Sequence, residues 1–412
     1  MKRSIIALVF TTALVITAAA SDWPQWRGPD RTGLSKETGL LKSWPPEGPA
    51  LVWKATGCGG GYATPSVAGG RIFGSGYRGS NEFVWAFDVK GGQEIWSVRA
   101  TAAERKIGYP DGPRATPTID GELLYTLSAG GKLVCLETAT GQQHWQKDFK
   151  NEFGGRMMSG WGFSESPLVD GEKVVCTPGG TKGTVVALNK KTGEVIWQST
   201  EITDKAAYAS LTVVELGGVR QYLQLTDEHL FGIAAQDGKV LWRAPRHGET
   251  AVIPTPIFHD NHVFVTSGYG IGCNLFKITP DHGAFKAEEV YANTDMVNHH
   301  GGVVLVGEHL YGHSDSKGWV CMEFKTGKVV WSNRGVGKGA VSYADGMLYT
   351  RSEGGPGTVA LVAATPAGYQ EKGRFNQPGR SAKNSWPHPV IANGRLYLRD
   401  QDVLLCYDIK GK

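Results

Sequence analysis

One phrase recurs along this chain and restricts its fold more than anything else in it. A small residue is followed by an acidic or amide residue two places on, a Gly at six and a Trp at ten. It reads Ala86-Phe87-Asp88 with Gly92 and Trp96, then Cys135-Leu136-Glu137 with Gly141 and Trp145. It returns as Ala187-Leu188-Asn189 with Gly193 and Trp197, and as Cys321-Met322-Glu323 with Gly327 and Trp331. A weaker copy runs from Gly232 through Gly238 to Trp242. The phrase describes a hairpin: an apolar strand ends in a polar turn whose Gly supplies a positive φ, and the returning strand carries a large aromatic.

A second hairpin precedes each of these, as in Pro117-Thr118-Ile119-Asp120-Gly121 leading to Leu124-Tyr125, or Pro389-Val390-Ile391-Ala392-Asn393-Gly394 leading to Leu396-Tyr397. Pro is tolerated there because it opens the strand. Two hairpins make four strands, the unit of a propeller blade. The Trp spacings from Trp53 through Trp96, Trp145 and Trp197 to Trp242 are 43, 49, 52 and 45 residues. Trp331 follows 89 residues later, which leaves room for one divergent blade ending near Tyr291. Another divergent blade fits between Gly339 and Phe375. Periods of this size mean stacked supersecondary units.

Closure is also written in the chain. The last repeat stops at Cys406-Tyr407-Asp408, where its fourth strand is due, and an orphan strand, Leu51-Val52-Trp53-Lys54, stands at the other end. If that strand completes the last blade, the ring has no open edge and counts eight blades. The expected fold is therefore all-β: an eight-bladed β-propeller of four-stranded antiparallel blades. A length of 412 residues would otherwise suggest two or three domains, but repeat folds grow around one core. The 57 Gly suit the many tight turns this requires.

Residues 1–20 read as a secretory signal: Lys2 and Arg3, an apolar stretch over 5–16, then Ala18-Ala19-Ala20 before Ser21. The expected organisation is signal 1–20, an N-terminal extension over 21–50 and the propeller over 51–412, with a periplasmic or secreted location. The apolar run is short of the roughly 20 residues that a spanning helix takes, so no membrane span is expected. No Cys follows the cleavage site to carry a lipid. A net charge of +4 with no clustered Lys/Arg stripe argues against a nucleic-acid partner. Of the six Cys, Cys135, Cys321 and Cys406 share a register with Ala86, Ala187 and Gly232 and read as tight packing positions. Cys58, Cys176 and Cys273 leave a bridge among themselves open.

The phrase small-x-acidic-x-x-Thr-Gly-x-x-x-Trp resembles the docking repeat of pyrroloquinoline-quinone-like (PQQ-like) propellers, a family that includes quinoprotein alcohol dehydrogenases and the assembly lipoprotein BamB. The flanking Asp22-Trp23-Pro24-Gln25-Trp26-Arg27-Gly28-Pro29 and Asn298-His299-His300-Gly301-Gly302 are similar to an exported bacterial branch of that family. The resemblance implies PQQ with calcium for the dehydrogenases, with two adjacent Cys against the quinone. This chain has no Cys-Cys pair, and no calcium-ligand set can be matched in it, so PQQ with calcium is disfavoured and no metal is expected.

In a propeller the first strand of each blade lines the channel, and its entry end opens on one face. Reading those entries blade by blade gives Tyr62, Arg114, Trp161 with Glu165, Tyr208, His299 and His300, Lys338, and Trp386 with His388 as ligand-binding candidates. Convergent polar groups with aromatic floors define a ligand site, although a water-filled channel is polar without any function. His299 and His300, being adjacent, are expected to face opposite ways on a strand. Glu165 and Arg114 are expected either to pair as ions or to act as an acid/base with its charge partner. Trp161 and Trp386 fall outside the blade register and suit stacking on a ligand. Two readings follow. One is an envelope binding or assembly scaffold that takes a protein, glycan or small-molecule partner. The alternative is a quinoprotein-like oxidoreductase or a carbohydrate-active enzyme.

Overall fold

The computed structural model describes residues 22–281 and 284–411, so the expected secretory signal lies outside the described residues. Eight sheets are arranged as blades. Seven are contiguous in sequence and occupy 66–102, 118–148, 168–198, 212–245, 257–293, 303–333 and 339–376. The eighth consists of Val390–Ala392, Arg395–Asp400 and Val403–Asp408, and its outer strand is Leu51–Thr56, antiparallel to Val403–Asp408. The N-terminal strand thus closes the ring as expected, and no blade edge is left open between the two ends. Among the described residues no helix is long and apolar enough to cross a membrane.

The recurring phrase has a direct packing cause. Each docking Trp pairs across its own blade with the small residue of the phrase: Trp96 with Ala86, Trp145 with Cys135, Trp331 with Cys321, and Trp53 with Cys406. Its indole then lies on the turn Gly of the next blade. A Cβ built on Gly92, Gly141, Gly193 or Gly238 would meet Trp53, Trp96, Trp145 or Trp197 at under 3 Å. The indole Nε1 of Trp53, Trp96 and Trp145 donates to Val89, Thr138 and Lys190 carbonyls of that same neighbouring turn. In the divergent fifth blade Tyr291 takes over this role. Its ring approaches Gly327, and its hydroxyl donates to the Phe324 carbonyl at 2.9 Å. All six cysteines are buried and unpaired, so no bridge joins Cys58, Cys176 and Cys273.

The channel is occupied at one end by the chain itself. Residues 23–37 thread between the inner strands and bond to seven of the blades. Trp23 exchanges two backbone hydrogen bonds with Val67 of blade one, and Ile119 of blade two donates to the Pro24 carbonyl. Arg31 donates to the Ser166 and Pro167 carbonyls of blade three. The Trp26 indole donates to Thr255 Oγ1 at the entry of blade five, and Arg27 donates to the Val303 carbonyl of blade six. Leu34–Ser35 runs parallel to the inner strand of blade seven, and Glu37 accepts from Asn393 and Gly394 of blade eight. Burial draws both guanidinium pKa values down to about 10. A buried charge persists only with hydrogen-bond partners, and the backbone carbonyls of the inner strands supply them.

Candidate functional site

With one end plugged, the channel becomes a blind pocket that opens on the face carrying the blade-to-blade loops. Its cavity is about 220 Å³, and Trp26 of the plug contributes to its lining. Eight of the ten candidates from the sequence converge here: Tyr62, Arg114, Trp161, Tyr208, His299, His300, Lys338 and Trp386. They come from different blades because the entry register of an inner strand points to the channel axis whatever residue occupies it.

Glu165 and His388 are placed elsewhere. Glu165 follows the lining position Ser164 by one residue, and on extended backbone that one step turns it to the other side. It is buried and accepts from the Thr177 amide and hydroxyl. Burial raises its carboxyl to about 7, opposed by the Thr177 bonds and the charge of Arg31. The expected pairing of Glu165 with Arg114 is not formed. Arg114 instead donates to the carbonyls of Gly108, Tyr109 and Gly112, bracing the loop between blades one and two, and lies over the Tyr62 ring. His388 sits beneath the mouth, where its Nε2 donates to the His300 carbonyl at 2.9 Å and its ring lies 4.6 Å from that of Trp26. Burial, reinforced by Arg27, lowers its pKa to about 3.

The expectation that His299 and His300 face opposite ways is corrected: both line the pocket. They sit in a bend before Val303–Val306, so strand alternation does not apply to them. His299 Nδ1 contacts Asp315, which also takes Lys338 Nζ at 3.2 Å. His300 Nε2 lies 3.4 Å from Glu353, whose Oε2 also accepts from the Trp386 indole at 2.9 Å. Burial first, then the charge of Lys338, lowers the His300 pKa well below the ordinary range, so this ring is neutral at physiological pH.

The rim is an aromatic collar. Trp386 lies 4.9 Å from Tyr109, Tyr109 6.0 Å from Trp161, Trp161 6.5 Å from Tyr269, and Tyr269 4.8 Å from His299. His300 returns to Trp386 at 5.6 Å, so the rings close on themselves through the His299–His300 peptide. Tyr109 and Tyr269 were not singled out by the sequence, because no repeat register governs their loops. Both are half exposed, and both hold a left-handed backbone with φ 54°. That conformation costs a non-Gly residue about 1–2 kcal/mol, and such strain is concentrated where a side chain is held in place for use.

Calcium with a quinone is a poor fit to this mouth. Among the described residues the only carboxylate lining the pocket is Glu353, whereas calcium gathers 6–8 oxygens, usually from several carboxylates. The cavity also falls below the roughly 300–1,000 Å³ of sites for drug-sized ligands. Away from the mouth, Asp204, Glu228 and His229 converge, but Asp204 already accepts from Thr226 and contacts His229.

Fold and mouth together define a PQQ-repeat propeller with a self-plugged channel and a blind, aromatic-rimmed pocket. The chain belongs to the family described as outer membrane protein assembly factor BamB, whose model matches residues 80–333. BamB of Kangiella koreensis is 25% identical over 190 residues, covering 45% of this chain and 43% of that protein. BamB of Shewanella oneidensis is 23% identical over 246 residues, covering 54% and 57%. The chain is thus matched to about half the length of these curated relatives. Among solved structures, BamB from Moraxella catarrhalis superposes with a TM-score of 0.62 at 16% identity, covering 88% of this chain and 98% of that one. The quinohemoprotein alcohol dehydrogenase from Comamonas testosteroni gives 0.65 at 14% identity, covering 95% and 81%. At these identities the two structures speak for the fold alone.

Proposed function

We propose that this protein is a non-catalytic binding propeller of the bacterial cell envelope, and that it holds a small ligand, or a small group of an envelope partner, in its mouth. The observation that carries the reading is the blind pocket under a closed aromatic collar, with two collar tyrosines held in a strained backbone. Such a mouth suits capture: aromatic walls supply contact area, and a few fixed polar groups set orientation. The groups that could do acid/base work are already committed. Glu165 is turned out of the pocket onto Thr177, His300 is neutral, and Asp315 is shared by His299 and Lys338. Kinship with BamB and the expected secretory signal favour the envelope as the setting.

The test is site-specific photo-crosslinking in cells, with the probe at Tyr109 or Tyr269 on the rim and at Asp237 in an exposed turn as the control. Crosslinks to an envelope component from the rim positions and not from Asp237 are expected. Silence at both rim positions, or dye-linked substrate oxidation by the purified chain with PQQ and calcium, would overturn the reading.

A further inference from the structure

Below the collar the residues that lead into the inner strands carry a set of hydroxyls whose bonding is half complete. Thr64, Ser166 and Ser210 occupy the register two residues after Tyr62, Ser164 and Tyr208, and all three line the pocket. Each accepts a backbone N–H across the ring. Thr64 Oγ1 accepts from His388 at 3.0 Å, Ser166 Oγ from Thr116 at 2.9 Å, and Ser210 Oγ from Ser166 at 3.0 Å. A hydroxyl has one proton and two lone pairs. Here an amide fills one lone pair, and none of the three protons goes to a protein acceptor among the described residues. Three donors therefore face the cavity in fixed positions, since the ring itself sets their oxygens.

The pocket also offers an acceptor. Glu353 Oε2 takes the Trp386 indole and approaches His300, while its other oxygen has no protein donor among the described residues. The rings of Trp161, Trp386, Tyr109 and Tyr269 line the same pocket. A ligand that meets both sets of groups has oxygens able to accept several O–H donors, a hydroxyl able to donate to a carboxylate, and an apolar C–H face to lie on an aromatic ring. A cavity of about 220 Å³ admits one such ring.

We infer that the mouth is a sugar-binding site that takes a single neutral pyranose, with Thr64, Ser166 and Ser210 donating to its oxygens, Glu353 accepting from it, and Trp161 or Trp386 stacking on its C–H face. The inference rests on the binding-mouth reading above and names its ligand. Free hexoses and the terminal unit of a glycan chain share this chemistry.

The full chain is titrated by tryptophan fluorescence and calorimetry with glucose, galactose, mannose and N-acetylglucosamine, and with short oligosaccharides of each. Tetramethylammonium and benzoate serve as non-sugar probes of the same mouth. Saturable binding of at least one sugar is expected. Affinity should fall about tenfold in Ser210→Ala and in Glu353→Gln, the loss of one hydrogen bond each. Tyr269→Ala, on the exposed rim, should weaken binding without touching the ring, and it keeps the test valid if Ser210→Ala fails to fold. Tighter binding of an oligosaccharide than of its monomer assigns a chain end, and equal binding assigns the free sugar. If no sugar binds while tetramethylammonium or benzoate saturates the mouth, the sugar inference fails and the binding mouth stands. If no probe binds and the rim positions give no crosslinks, both fail.

Discussion

The indole of Trp96 in blade one lies against Gly141 of blade two so closely that a Cβ built there would come within 2.8 Å of its Cε3. Gly141 also holds φ 78°, in the left-handed region. Two costs therefore meet at one atom. Gly171, in the first hairpin of blade three, has φ 58° with nothing within 4 Å of a built Cβ, so only the backbone cost applies there. Gly171→Ala is expected to cost about 1–2 kcal/mol. Gly141→Ala adds overpacking of about 1–3 kcal/mol to that. Urea unfolding of both variants measures the difference, and equal losses would mean that the indole does not dock on the turn.

That contact explains how much of the fold could be read from the residues. Trp and Gly ten and six places after a small residue are forced by one interlocking joint, so blades, count and closure all follow from spacing. Blade five lacks the phrase because Tyr291 replaces the Trp, and the 89-residue gap between Trp242 and Trp331 locates it instead. The site was legible only where it obeys the same geometry. Tyr62, Arg114, Tyr208, Lys338 and Trp386 were found because topology places strand entries at the mouth. Glu165 and His388 stand one and two residues past the lining Ser164 and Trp386, enough to turn one aside and sink the other. Tyr109 and Tyr269 ride on loops with no register, and nothing in the sequence sets Thr64, Ser166 and Ser210 apart from other residues that lead into a strand. Only their amide partners across the ring reveal the protons left over.

The plug and blade three share a buried charge relationship. Arg31 donates to the Ser166 and Pro167 carbonyls, and its charge favours the ionised form of Glu165, whose carboxyl burial raises to about 7. Arg31 acts on Glu165 through its charge alone and holds blade three by hydrogen bonds to buried carbonyls, each worth about 1.5–3 kcal/mol for a charged donor. Arg31→Leu is therefore expected to lose about 3 kcal/mol. The double variant Arg31→Leu/Glu165→Gln should lose less than the sum of the single losses, by about 1 kcal/mol or more. Additive losses in a double-mutant cycle would show that the two charges do not sense each other.

His388 ties stability to pH with a definite sign. Its pKa is about 3 in the folded chain and about 6.5 when unfolded, so the unfolded state binds the proton first as pH falls. Stability is lost from about pH 6.5 downward, at about 1.4 kcal/mol per pH unit, which makes some 2–3 kcal/mol by pH 4.5. Glu165 and Glu82, raised by burial to about 7 and about 8, act the opposite way over part of the same range. The measurement is therefore a comparison of denaturation midpoints for the wild type and His388→Gln between pH 7.5 and 4.5. The variant should lose distinctly less stability on acidification, and parallel pH profiles would place the His388 proton equilibrium elsewhere.

The six thiols give a chemical check on the same packing. Cys58, Cys135, Cys273 and Cys406 are pushed up to about 12 by burial and Cys321 to about 11, so none presents a thiolate at neutral pH. The thiolate is the reactive form, and a buried thiol waits for the fold to open. Ellman's reagent should label none of them in the native chain and all six after denaturation without reductant. Labelling of four would reveal a disulfide, and rapid labelling of one in the native state would show a gap in a blade joint. Cys321→Ala should cost less than about 1.5 kcal/mol, because Ala86 and Ala187 already fill that register against their own Trp in blades one and three. Cys321→Leu should cost more, since Trp331 stands directly opposite.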